Sequence, residues 1–168
     1  MPASLAQWLT SAYVLTMGIV AISTPYLIGK YDIRNLFINC LSIFIVGCII
    51  SYFSPNFFIL LLSRVLEAVG AGVIFTLTLI VMVYIFTKNS HAKALGYLGL
   101  VIGLAPCIGP TLAGYIVDYS SWRKIFLLLA FICLIVIVLA NKYVYNLNKK
   151  YSVRMDFTSV LSLGFSVY

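Results

Sequence analysis

The sequence predicts an all-α protein that crosses a membrane several times, and three observations carry that prediction. Of its 168 residues, 63% are hydrophobic and only 9% are charged, with mean hydropathy +1.10; a soluble domain carries about 25% charged residues. The apolar residues fall into runs of membrane-spanning length separated by short polar connections. In lipid, such runs must satisfy their own backbone groups, which an α-helix does.

The first span is expected from about Ala6 to Leu27, with Trp8 and Tyr13 near its outer end. A short basic connection, Gly29 to Asn35, follows. The second span covers roughly Leu36 to Phe53 and ends at the uncharged turn Ser54-Pro55-Asn56. The third runs from Phe57 to about Phe86, longer than the ~20 residues a bilayer needs, so tilt or an extension beyond the membrane is expected. A polar loop, Thr87 to Lys93, leads to the fourth span, about Ala94 to Val117. Asp118 to Lys124 forms a hairpin with Trp122 as an interfacial anchor. The fifth span, about Ile125 to Tyr145, is rich in Leu, Ile and Val and is expected to face mainly lipid. Residues 146–156 read as a basic linker, and 157–168 as the start of a further span, too short to cross as a helix.

The fourth span carries four glycines and two prolines between Gly99 and Gly114. At about 100° per residue, Gly99, Gly103, Pro106, Pro110 and Gly114 lie within roughly 80° of one another. Such a face has little bulk and two missing donors, so it suits close helix approach and bending. It is expected to be the helix around which the others pack.

The net charge of +7 does not point to nucleic acid, because the basic residues form no dense patch and lie between apolar runs. They set topology instead. Lys30, Arg34, Lys88, Lys93, Lys142, Lys149, Lys150 and Arg154 fall on one side, against Arg123 and Lys124 on the other. The richer side is expected in the cytoplasm, which places the N-terminus outside. Cys40, Cys48, Cys107 and Cys133 lie within apolar runs and read as small core residues. His91 has no second histidine to share a metal with. No metal or organic cofactor is expected, and no cleavable signal peptide is evident, since no basic segment precedes the first run.

Arg64 and Glu67 stand inside the third span, one turn apart. A basic residue at mid-membrane costs about 2.5–3.5 kcal/mol on insertion scales and usually faces protein or a water-filled cavity. Two roles fit. Arg64 could bind carbonyls of a neighbouring broken helix and pair with Glu67 to hold the bundle. Alternatively, the two form a proton- or substrate-responsive pair, since an intramembrane carboxylate has a protonation equilibrium set by hydration and a nearby cation. Ala68, Ala71 and Thr78 share the Arg64 face, which is narrow.

Gln7 to Tyr13, Leu62 to Gly72, Gly103 to Gly114 and Ser121 to Phe126, in their order along the chain, resemble drug:proton antiporters of the major facilitator superfamily. Gly103-x5-Gly109-Pro110-x2-Ala113-Gly114 is similar to the antiporter motif of their fifth helix, with Ala113 replacing a usual glycine and Pro106 within it. Ser121-Trp122-Arg123-Lys124-Ile125-Phe126 is similar to the Trp-Arg-x-x-Phe turn before the sixth helix. Leu62 to Gly72 resembles the fourth-helix pattern Arg-x-x-Gln-Gly-x-Gly-Ala, with Glu67 at the Gln position and Ala68 at a Gly position. Gln7 to Tyr13 resembles the start of the second helix, and Asp156-Phe157 the entry to the seventh. The cytoplasmic gating loop departs from the family pattern: Gly29 stands where an aspartate is usual, and Lys30, Asp32 and Arg34 are its remaining charged residues.

The resemblance implies a partial major facilitator fold, helices two to six plus the start of helix seven, from the fourteen-helix multidrug-resistance branch. Residues 1–145 would form an N-terminal six-helix half lacking its first helix. It also implies proton-coupled efflux of small amphipathic compounds across a bacterial cytoplasmic membrane, by alternating access together with a C-terminal half. Glu67 would carry the proton with Arg64 as its modulator, and Tyr13, Thr16 and Phe75 would line the cavity. The rival readings are a non-transporting scaffold or partner subunit, or an inactive truncated product. An enzyme is disfavoured, because the loops hold no nucleophile–base or metal constellation.

Overall fold

The computed structural model describes residues 3–85, 91–119 and 121–143. The expected linker at 146–156 and the run at 157–168 lie outside the described residues, as do 86–90 and 120. Five helices follow one another: α1 (Ala3–Lys30), α2 (Ile33–Phe53), α3 (Phe57–Ile85), α4 (His91–Tyr119) and α5 (Arg123–Tyr143). Each is long and apolar enough to cross a membrane, and the described residues contain no strand.

Helix ends follow local chemistry. Ser54 precedes Pro55, whose ring disfavours helical backbone in the residue before it; Ser54 is extended, at φ −63° and ψ 117°. The Ser54 hydroxyl donates to the Ser51 carbonyl at 2.8 Å, closing the end of α2. The Leu60 amide donates to the Asn56 carbonyl at 3.1 Å, opening α3. Between α1 and α2 the break is shorter than expected. Gly29 and Lys30 complete α1, only Tyr31 and Asp32 are non-helical, and Arg34 already lies in the first turn of α2. Charged side chains at a membrane edge can reach water from a helix, so charge alone does not end one. Likewise α4 begins at His91, within the expected polar loop.

The packing centre is α3, which corrects the expectation for α4. α3 packs extensively on both α1 and α2, and α2 also packs on α5. α4 touches α3 and α5 only lightly. The close approaches occur at other glycines. A Cβ on Gly70 would stand 2.6 Å from the Cys40 carbonyl oxygen, and one on Gly72 would stand 2.9 Å from that of Met17. A Cβ on Gly99, Gly103, Gly109 or Gly114 would meet nothing within 4 Å. Among the described residues, the small-residue face of α4 therefore has no close neighbour. α5 buries Phe126 and Ala140 against the bundle, while most of its large apolar side chains, Leu127, Phe131, Ile135 and Leu139 among them, stay exposed.

Two apolar clusters hold the bundle. One joins Ile28, Leu36, Cys40, Val73 and Leu77. The other joins Cys48, Leu60 and Phe126 across α2, α3 and α5. Cys40 and Cys48 are buried as expected, Cys133 is half-buried and Cys107 is exposed; all four are free thiols.

The side-chain contacts agree with the expected alternation of helix ends. Arg34, just past the α1–α2 break, donates to the Asn141 carbonyl oxygen at 2.8 Å and Oδ1 at 3.3 Å near the end of α5. At the opposite end, Arg123 donates to the Ser54 carbonyl at 3.1 Å. Thus the start of α5 is tied to the α2–α3 turn, and its end to the start of α2.

Candidate functional site

On α3, between Leu60 of one apolar cluster and Val73 of the other, lies a polar cluster with a carboxylate at its centre. Glu67 is about 15 Å along α3 from Phe57 at 1.5 Å rise per residue, close to half of a ~30 Å hydrocarbon core. It is fully buried, at 0% exposure. Arg64 precedes it by three residues, so both side chains lie on neighbouring parts of one face. Arg64 Nη1 donates to Glu67 Oε2 at 3.0 Å. Ser51 of α2 donates from Oγ to Glu67 Oε1 at 2.7 Å. Ser63, one turn before Glu67, stands 2.7 Å from Ser51 Oγ.

Room for the carboxylate comes from Gly47 on α2. A Cβ there would meet Glu67 Cγ at 2.8 Å and the Ser63 carbonyl oxygen at 3.1 Å. Gly47 therefore allows α2 to approach α3 and allows the Glu67 side chain to lie between them. An uncompensated charge in an apolar interior is expensive. Here the charge has a cation and a hydroxyl within hydrogen-bond distance, and no buried side-chain nitrogen or oxygen among the described residues lacks a partner.

Arg64 is placed by aromatic rings as well as by Glu67. Its guanidinium lies 4.8 Å from the Phe126 ring centroid and 5.9 Å from that of Tyr13, both within cation–π range. Its side chain remains 33% exposed, so the cluster has one buried pole and one accessible pole. Of the two roles open to Arg64, the described contacts show the pairing with Glu67, and no hydrogen bond to a carbonyl of a neighbouring helix. The stretch Trp122 to Phe126 joins this cluster. Trp122 and Phe126 meet edge to face at 6.1 Å, Arg123 stacks 5.3 Å from the Trp122 ring, and Phe126 reaches Arg64.

The other expected site residues separate into groups. Tyr13 is half-buried and joins the Arg64 cluster. The Thr16 hydroxyl turns back to the Ala12 carbonyl at 2.8 Å. Phe75 is exposed and lies about 16 Å further along α3 than Arg64; neither it nor Thr16 is brought to the charge pair. Gly103, Pro106, Gly109, Pro110, Ala113 and Gly114 all lie on α4, exposed except for half-buried Ala113. Lys30 and Asp32 are exposed, and Asp32 precedes α2 without a side-chain capping bond. Arg34 makes the bonds to Asn141. Ser51, Ser63, Gly47 and Phe126 are the site residues that sequence reasoning did not assign. Ser63 had a signal in its spacing, four residues before Glu67 on one face; Ser51 had none, because its role depends on the register of α2 against α3.

Five helices long and apolar enough to cross a membrane, with Glu67 buried between α2 and α3, define a multi-pass membrane protein. The Major Facilitator Superfamily profile matches residues 1–154, and the chain belongs to that superfamily. It is 39% identical over 159 residues to an uncharacterized MFS-type transporter, YcnB, of Bacillus subtilis, covering 95% of this chain and 34% of that protein. It is 32% identical over 161 residues to lincomycin resistance protein LmrB of Listeria monocytogenes, covering 95% of this chain and 34% of LmrB. With the multidrug transporter protein MdtP of B. subtilis it shares 32% identity over 123 residues, covering 73% of this chain and 23% of MdtP. The chain thus spans about a third or less of the length of these relatives.

Proposed function

We propose that this chain forms most of the N-terminal half of a proton-coupled exporter in the bacterial cytoplasmic membrane, and that Glu67 carries the proton. The observation behind this reading is the placement of Glu67: fully buried near mid-membrane, yet bonded to Arg64 and to a hydroxyl. Intramembrane carboxylates usually mark ion or proton pathways. Arg64 pairs with the carboxylate at 3.0 Å and is itself one-third exposed, so the pair is not wholly enclosed by the helices. The names of two relatives, lincomycin resistance protein LmrB and multidrug transporter protein MdtP, support efflux of small amphipathic compounds. Energy comes from the proton gradient, with no organic cofactor. A C-terminal half completes the transport path, and the open face of α4 is the surface available to it.

The test is efflux of ethidium from inverted membrane vesicles containing the transporter at its full encoded length. Dye movement should follow an imposed pH gradient and stop when the gradient is collapsed. Glu67→Gln should abolish gradient-driven efflux while retaining dye binding. Unimpaired coupled efflux in that variant would remove Glu67 from the proton pathway. If the chain instead serves as a scaffold for a partner, neither the gradient nor Glu67→Gln will alter its function.

A further inference from the structure

We infer that Ser51 and Ser63 form a reversible hydroxyl chain that keeps Glu67 hydrogen-bonded both with and without a proton, so that its charge changes while its position does not. This rests on the reading of Glu67 as a proton carrier and adds two positioning residues to it.

The heavy-atom geometry permits two arrangements of hydrogens. Glu67 Oε1, Ser51 Oγ, Ser63 Oγ and the Leu60 carbonyl oxygen follow one another at 2.7, 2.7 and 2.7 Å. Each hydroxyl supplies one hydrogen and can also accept; the Leu60 carbonyl only accepts. With Glu67 ionised, Ser51 donates to Oε1 and Ser63 donates to Ser51. With Glu67 protonated, the carboxyl donates to Ser51, Ser51 to Ser63, and Ser63 to the Leu60 carbonyl. The second arrangement contains one more proton than the first: the Glu67–Ser51 and Ser51–Ser63 bonds have reversed their sense, and a third bond, from Ser63 to the Leu60 carbonyl, has formed. No carbon–oxygen bond forms or breaks. Oε2 remains available to Arg64 in both arrangements.

Arg64 cannot perform this role. A guanidinium donates and does not accept, so it offers nothing to a carboxyl hydrogen. An acid with no acceptor in a site sealed from water would leave a buried donor unsatisfied, and the carboxyl would have to move or stay ionised. Ser51 supplies that acceptor, and Ser63 followed by the Leu60 carbonyl supplies an outlet for the displaced Ser51 hydrogen. The other ionisable neighbours are Tyr13 from α1, Cys48 from α2 and Arg64 from α3 itself. From α5, Cys133 lies near Cys48, and Arg123 is bound at the Ser54 carbonyl. None of these interrupts the three 2.7 Å contacts.

The test uses the full-length transporter in lipid and infrared difference spectra recorded across a pH step. The carboxyl C=O band of Glu67 is the one lost in Glu67→Gln. In Ser51→Ala the band should move to higher frequency, as expected for a carboxyl that no longer donates. In Ser63→Ala, where no atom touching Glu67 changes, it should move the same way by a smaller amount. Gradient-driven dye efflux should fall about tenfold in Ser51→Ala, in proportion to one lost charge-assisted hydrogen bond. Ser63→Thr, which keeps the hydroxyl, should restore the band position lost in Ser63→Ala. A Glu67 band that stays in place in both alanine variants would leave the proton on Glu67 and overturn the chain. Absence of any band lost in Glu67→Gln would overturn both the proton and the chain. The band reports on folded protein directly, so a variant with poor yield still gives a reading, and Ser63→Ala removes only one buried atom.

Discussion

The contact between α2 and α3 and the exposed length of α4 are both rich in glycine, yet only the first is closed. At Gly47 and Gly70 the backbones of α2 and α3 come so near that a methyl group would clash with the opposite carbonyl or side chain. At Gly99, Gly103, Gly109 and Gly114 the same methyl would stand in open space. A stripe of small residues shows that something can approach closely. It does not show whether the approaching surface belongs to the same stretch of chain. The closed contact differs from the open one in what it encloses, because the space cleared by Gly47 contains the Glu67 side chain.

The largest effect should come from filling the closed contact. Gly70→Val would set a branched side chain against the Cys40 carbonyl, where a bare Cβ already stands at 2.6 Å, and against Phe44 at 3.0 Å. One of these is backbone and cannot rotate away. Overpacking a core costs about 1–3 kcal/mol even where side chains can adjust, so a cost at or above that range is expected. The measurable outcome is loss of folded protein in membranes, with an earlier thermal transition in detergent than the parent. Normal yield and an unchanged transition would mean that α2 and α3 are further apart than described.

An intermediate effect is expected at the edge of the site. Phe126 lies under the Arg64 guanidinium and within the apolar cluster around Leu60. Phe126→Leu keeps most of the buried apolar area and removes the ring face. The cation–π contribution is about 0.5–2 kcal/mol, and its loss should loosen Arg64 more than the fold. Accordingly, gradient-driven efflux should fall several-fold while the thermal transition moves little. Phe126→Tyr, which retains a ring face, should recover efflux; failure to recover would assign Phe126 to packing alone.

These two tests address parts of the molecule that were legible to very different degrees. Helix number and most boundaries follow from hydropathy, and Ser54-Pro55-Asn56 marks a turn by its own backbone chemistry. The α1–α2 break was shorter than its charge content implied, because the exposed Lys30 and the Asn141-bonded Arg34 are accommodated without unwinding the helices that carry them. Arg64 and Glu67 stood out as charges in an apolar run at a spacing that brings them together. Their surroundings were less visible. Ser63 required knowing that its hydroxyl faces α2, and Ser51 required the register between two helices, which no local pattern encodes. The misplaced centre has the same origin: α4 displays its small residues in one conspicuous stripe, whereas Gly47, Gly70 and Gly72 are scattered over α2 and α3 and become contacts only when those helices meet each other and α1.

The smallest effect should come from the open side. Among the described residues, Gly103→Ala puts a methyl group where nothing lies within 4 Å. Alanine is also the better helix former, by about 0.8–1.0 kcal/mol in a helix interior in water. The substitution should therefore be neutral or slightly stabilising for the chain expressed alone, as read by its thermal transition in detergent. In the full-length transporter the outcome should reverse, with reduced efflux, if a C-terminal half rests on this face. A loss of stability already present in the isolated chain would instead place a close neighbour on α4 within residues 1–168, and would erase the contrast between the two glycine-rich surfaces.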